Sequence, residues 1–317
     1  MELEYVYSMA GVCIASYLLI KRNSSNNNTT DKDKNATVVC IFASASSKTG
    51  LGHVVRCQSL ARVLSAAGVT IRWCSRKGPD SEAMLRRGLG RELDYSKDLL
   101  LDDDTKSNST ENSTETDLEI RCALLKKIAE WSHDAMWLIV DDYGVNDADI
   151  RAIRNLWETN SNTTQLMVLD DHQSRSSAHL RLAPMSESSE SNKDDNQKKD
   201  CPTLTGLEHL LMRPEFAMDN TTSERNAWFI CFGGADTEGL TKACIRRLID
   251  STSLQRKPDL IVCASDRMAE TQELDALLEE WPGANAERKA WVGPAEMASL
   301  LKSSSGALVS CSGIGTF

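Results

Sequence analysis

The stretch "ATVVCIFA", residues 36–43, read together with "KTGLGHVVRCQSLARVL", residues 48–64, and "VTIRWCS", residues 69–75, decides the fold. The first segment is a continuous apolar, β-branched run, the pattern of a strand buried on both faces. The second turns on Gly50 and Gly52, then spaces Val54, Cys57, Leu60, Ala61 and Leu64 along one helical face, with Gly68 where a C-terminal cap belongs. In the third, Val69, Ile71 and Trp73 alternate at the period of a strand. Strand, helix and strand within about forty residues form a βαβ unit, which implies a parallel sheet.

The alternation continues outward. "LEIRCALLKKIAEW" reads as an amphipathic helix, "AMWLIVDDYG" as a strand ending in acids, "NDADIRAIRNLW" as a helix and "TQLMVLDD" as another acid-ended strand. A second series starts with the strand "AWFICFGGAD" and the helix "TEGLTKACIRRLID". "PDLIVCAS" and "RMAETQELDALLEEW" repeat the pair, "AEMASLLKSS" adds a helix, and "GALVSCSGIGTF" is a strand running into a last glycine turn. The expected organisation is an apolar leader and asparagine-rich linker over residues 1–36, a Rossmann-like domain over 37–218 and a nucleotide-binding Rossmann-like domain over 226–317. Polar, low-complexity inserts near 105–117 and 186–200 read as disordered loops, and the acidic "LLLDDDTK" as solvated surface. The second series stops on a glycine turn without the helix such a turn should open, so this domain reads as truncated.

At 317 residues the chain is long enough for two domains with ordinary cores. A net charge of −10 argues against a nucleic-acid partner held by broad phosphate neutralisation. None of the ten cysteines forms a C-x-x-C pair, and most sit in apolar runs, which suits buried thiols in a reducing compartment. The expected location is therefore cytoplasmic. Tyr5 to Ile20 is apolar but shorter than the roughly 20 residues of a spanning helix, and it stands as a candidate N-terminal membrane anchor. Lys21 and Arg22 behind it would leave the rest of the chain cytoplasmic.

Three strand-to-glycine junctions can bring backbone amides against an anion: Gly50 and Gly52, Gly233 and Gly234, and Gly313 and Gly315. Each alone serves tight-turn geometry as readily as a ligand. The pairs Asp141–Asp142 and Asp170–Asp171 end strands, where carboxylates hold metals or move protons but more often cap helices or bind loop amides. Capping is the use expected for at least one acid in each pair. His53 sits in the first turn of its helix, where the positive dipole end disfavours imidazolium. A neutral imidazole there can take a proton from water, although spacing alone favours a structural role. His133, His172, His179 and His209 have no partner spacing.

The segment "GLGHVVRCQSLARVL" closely resembles the G-x-G-H-x-x-R-x-x-x-L-A signature of the nucleotide-sugar hydrolases of pseudaminic acid biosynthesis, which cleave UDP-2,4-diacetamido-2,4,6-trideoxy-β-L-altropyranose. "LIVDDYGVNDADIRAIR" resembles that family's V-D-x-Y segment, "LMVLDDHQSR" its I-D-D-L-x-x-R strand and "LLMRPEFA" its L-L-R-P-E-F junction. "FICFGGADTEGLT" is similar to its S-F-G-G-x-D turn and "LVSCSGIGTF" to its final glycine-rich turn. The matches come in family order from about Val38 to Phe317.

The resemblance implies a GT-B-like fold, with two Rossmann-type domains facing across a cleft. It implies a UDP-sugar substrate hydrolysed at the anomeric carbon with inversion, releasing UDP, and no cofactor or metal. His53 would be the general base. Gly50, Gly52, Arg56 and Tyr143 would lie by the sugar or its phosphate. Gly233, Gly234, Asp236, Ser312, Gly313 and Gly315 would form the nucleotide-binding turns. The alternatives are a GT-B glycosyltransferase using a UDP-sugar donor, or an inactive truncated product.

Overall fold

A computed structural model of the chain describes residues 37–44, 52–77, 81–89, 94, 98–102, 114–160, 162–169, 176–184, 201–206, 209–216, 227–233, 236, 239–251, 257–266, 271–283, 285–290 and 292–309. They belong to two compact units, the second made of the residues from Arg213 on together with Gly52. The apolar segment 5–20, the insert 186–200, the pair Asp170–Asp171 and the site candidates Gly50, Gly234, Ser312, Gly313 and Gly315 lie outside the described residues.

The first unit alternates β1 (Val38–Ala43), α1 (Gly52–Ala66), β2 (Thr70–Lys77), α2 (Ser81–Leu89), β3 (Leu99–Asp102), α3 (Thr114–Trp131), β4 (Trp137–Asp141), α4 (Asp147–Thr159), β5 (Gln165–Leu169), β6 (Leu180–Leu182) and β7 (Thr203–Leu204). Its seven strands run in the order β3-β2-β1-β4-β5-β6-β7, and every pairing is parallel. The apolar runs that read as buried strands occupy the middle, since β1 and β4 are the strands that need cover on both faces. One face packs Cys40, Phe42, Leu138 and Val140 against Ile128, Ile150, Ile153 and Trp157 of α3 and α4. The Trp157 Nε1–H, buried there, donates to the Ala129 carbonyl at 3.1 Å. The chain winds outward from β1 to β3 and then returns to β4, so the winding reverses between β1 and β4. In such sheets that reversal opens a crevice at the carboxyl ends of the two strands.

Three sequence readings change. Leu99–Asp102, expected as part of an acidic loop, is the edge strand β3, held by parallel pairing to β2 with Leu101 buried. Helix α3 starts at Thr114, so it takes the last residues of the insert expected near 105–117. Asn146, rather than either preceding acid, caps α4: its side chain accepts from the Asp149 N–H, and Asp149 returns the bond in a capping box.

The second unit carries β8 (Ala227–Cys231), α5 (Leu240–Asp250), β9 (Asp259–Cys263), α6 (Thr271–Glu279), β10 (Ala286–Lys289), α7 (Pro294–Ser303) and β11 (Ser304–Val309). Its sheet has the order β10-β9-β8-β11, again all parallel. Ile230, Leu260 and Val262 face Ile245, Leu274, Leu277 and Trp281 in its core. The chain is thus α/β with two parallel sheets, the second smaller, as its sequence patterns require. Among the described residues no helix is long and apolar enough to cross a membrane.

Candidate active site

The reversal between β1 and β4 collects the side chains that matter. Parallel register aligns Ala43 with Asp141, so the acids ending β4 emerge beside the exit of β1 and the start of α1. On α1, His53, Arg56 and Cys57 are three and four residues apart and share one face. That face meets Asp141. His53 Nδ1 lies 2.6 Å from Asp141 Oδ1, and Arg56 grips both carboxylate oxygens, through Nε to Oδ2 at 2.5 Å and through Nη2 to Oδ1. Cys57 Sγ–H adds a contact to Oδ2 at 3.4 Å. His53, Arg56 and Asp141 are 6%, 7% and 1% exposed.

Burial of Asp141 pushes its carboxyl upward, but the hydrogen bond and charge of Arg56, followed by those of His53, outweigh it and hold the group at about 2. Asp141 is therefore ionised near neutrality and can only accept. The proton of this hydrogen bond must sit on His53 Nδ1, so a neutral ring carries its lone pair on Nε2. Arg56 and Asp141 cancel in charge. In that tautomer Nε2 is the nitrogen that can receive a proton.

Tyr143 completes this side. Its ring meets the imidazole edge-on, with centroids 4.4 Å apart and planes at 82°. It is 43% exposed, an aromatic ring left open beside the histidine. Around Gly52, the first residue of α1, no atom of the other described residues lies within 4 Å of where a Cβ would stand.

Asp142 points to a second cluster. It is buried and accepts from the Ser44 hydroxyl, from Arg76 Nε at 3.0 Å and from the Gly144 N–H at 2.6 Å. One acid of this pair therefore serves a loop amide rather than the expected helix cap. A Cβ on Gly144 would stand 2.9 Å from Asp142 Oδ1 and 3.0 Å from Arg76 Nη2, so any side chain there would have to push these two groups aside.

In the second unit, Gly233 follows β8 with φ +92°, a conformation that itself calls for glycine. Asp236, at φ +33°, places its two carboxylate oxygens 2.9 Å from the Leu240 amide and 2.8 Å from the Thr241 amide. It caps α5 with its own anion. The structure thus joins His53, Arg56 and Tyr143 in one cluster, while Gly233 and Asp236 belong to the other unit, with which Gly52, the chain neighbour of His53, is grouped.

Asp141 as the partner of His53 and Arg56, and the clasp of Ser44, Arg76 and Asp142, are absent from the sequence reading. The signal was present for Asp141, since an acid ending the strand next to β1 faces the first turn of α1 in this strand order.

No protein-family model and no curated protein matches the chain. Among solved structures, UDP-GlcNAc 2-epimerase from Neisseria meningitidis bound to UDP-GlcNAc superposes with a TM-score of 0.50 at 12% identity, over 88% of this chain and 78% of that one. A glycosyltransferase from Rickettsia africae gives 0.48 at 11% identity, over 86% and 72% of the two chains. UGT71G1 of Medicago truncatula, complexed with UDP-glucose, gives 0.48 at 10% identity, over 90% and 78%. At such identities the likeness to the epimerase bears on architecture alone, and that architecture is the GT-B-like α/β fold of two parallel sheets.

Proposed function

We propose that the chain is a nucleotide-sugar enzyme that hydrolyses a UDP-linked diacetamido-trideoxy sugar at the anomeric carbon, with inversion, in nonulosonic acid biosynthesis. The observation that carries this reading is the 2.6 Å bond from His53 Nδ1–H to a buried, ionised Asp141, which leaves Nε2 as acceptor. His53 Nε2 takes a proton from water as the water oxygen bonds to the anomeric carbon. The bond from that carbon to the diphosphate oxygen breaks, and UDP leaves with the electron pair. The order of family-like motifs supports the substrate class. So does the shared fold of an epimerase solved with UDP-GlcNAc. The buried thiols of Cys40, Cys57 and Cys74 fit a reducing, cytoplasmic setting. The nucleotide contacts of Gly233, Gly234, Asp236, Ser312, Gly313 and Gly315, and the sugar contacts of Gly50, Gly52 and Tyr143, belong to the same proposal.

The exposed ring of Tyr143 beside His53 favours a second reading. An open aromatic face is a platform for a sugar ring, and the same Nε2 would deprotonate an acceptor hydroxyl in a glycosyltransferase. The two readings separate when UDP release from a UDP-diacetamido sugar is followed with and without sugar acceptors. Release in water alone supports hydrolysis. Release only with an acceptor overturns it in favour of transfer.

A further inference from the structure

Two arginines stand at the carboxyl edge of the first sheet, and their surroundings differ. Arg56 is 7% exposed and spends Nε and Nη2 on Asp141. Arg76, next to last in β2, reaches across the end of β1 over the Phe42 ring, 5.7 Å from its centroid, and donates Nε to Asp142 at 3.0 Å. It is 26% exposed, and among the described residues no partner is recorded for its Nη1 and Nη2.

We propose that Arg76 is the contact of the first unit for the phosphoryl oxygens of the nucleotide-sugar substrate, an inference that rests on the reading above. Its plane is fixed before any ligand arrives. Asp142, itself buried and held by Ser44 and the Gly144 amide, anchors Nε, and Phe42 supports the face. A guanidinium so held presents its remaining N–H donors as a fork at little entropic cost, the geometry that suits phosphoryl oxygens. Asp142 follows Asp141 at the end of β4, so the fork shares the carboxyl edge of the sheet with the His53 cluster. Arg56, the family-like arginine, then serves Asp141 and so positions His53, while Arg76 meets the anion.

The test is calorimetric titration of the full chain with UDP and, in parallel, with uridine, which lacks the diphosphate. Arg76→Gln should weaken UDP binding roughly 10- to 100-fold, the range for charge-assisted hydrogen bonds, and leave uridine binding unchanged. Arg76→Lys should recover part of the loss. A merely structural role for Arg76 would weaken both ligands together. In the wild-type chain, phenylglyoxal labelling of Arg76, read by peptide mass spectrometry, should fall when UDP is added, which requires no variant to fold. Equal UDP affinity in Arg76→Gln and wild type, or labelling indifferent to UDP, would overturn the assignment alone. A wild-type chain that binds no UDP would overturn the nucleotide-sugar reading and this assignment with it.

Discussion

Replacing Asp141 by asparagine tests the buried cluster most severely. All four groups around the carboxylate are donors: His53 Nδ1, Arg56 Nε, Arg56 Nη2 and Cys57 Sγ. An asparagine amide would bring its own N–H groups against donors on whichever side it turned. Facing Arg56, it leaves a buried cation without its counter-charge, and breaking such a pair costs on the order of 3–5 kcal/mol. Facing His53, it forces Nδ1 to accept and moves the ring proton to Nε2, removing the base. The second estimate comes from titration. Asp141 is held at about 2 against an ordinary 3.8, a difference worth about 2.5 kcal/mol of stability at neutral pH.

The folded carboxyl binds its proton less tightly than the unfolded one, so this contribution is complete above pH 3.8 and is lost as pH falls through about 2. Removing the partner therefore outweighs the titration difference. Thermal denaturation at pH 7 should show Asp141→Asn melting on the order of 10 °C below wild type. Repeated at lower pH, the gap should narrow between about pH 4 and pH 2, because the wild type loses there what the variant never had. Equal melting at pH 7 with no convergence in acid would refute the claim that an ionised Asp141 is shared by His53 and Arg56.

Two further outcomes separate glycines and caps that serve the fold from those that serve a ligand. Gly52→Ala meets no atom of the described residues within 4 Å and should hold or raise stability by about 0.5–1 kcal/mol, so a loss of substrate affinity in this variant, read by titration, would place the ligand against the Gly52 backbone. Asp236→Ala should lower stability by about 1 kcal/mol in urea denaturation, because the Leu240 and Thr241 amides lose their acceptor. Unchanged stability there would assign the Asp236 carboxylate to something other than the cap.

Much of this fold was legible because its central strands are nearly pure apolar runs and its main helices carry clear periodicity. The edges were not. In β10 the residues Ala286–Lys289 include two cations and an acid, and an edge strand can carry such charge without revealing a period. The strands β6 and β7 span three and two residues, too short to show alternation. At the site, His53 and Arg56 stood out through their family-like spacing, but Asp141 was read as one of a pair suited to capping. Its role depends on β4 lying next to β1, a non-local pairing with Ala43 opposite Asp141. Arg76 had no motif to mark it. It is drawn in by Asp142 from the far side of β1, and only the three-dimensional order of strands brings them together.

The most direct measurement is UDP release from a UDP-diacetamido sugar by wild type and His53→Gln, each checked for an unchanged melting temperature and unchanged UDP affinity. With His53 Nε2 as the proton acceptor, the variant should lose on the order of a hundredfold or more in rate while still binding UDP. Undiminished UDP release by a folded His53→Gln chain would contradict the role of His53 as base.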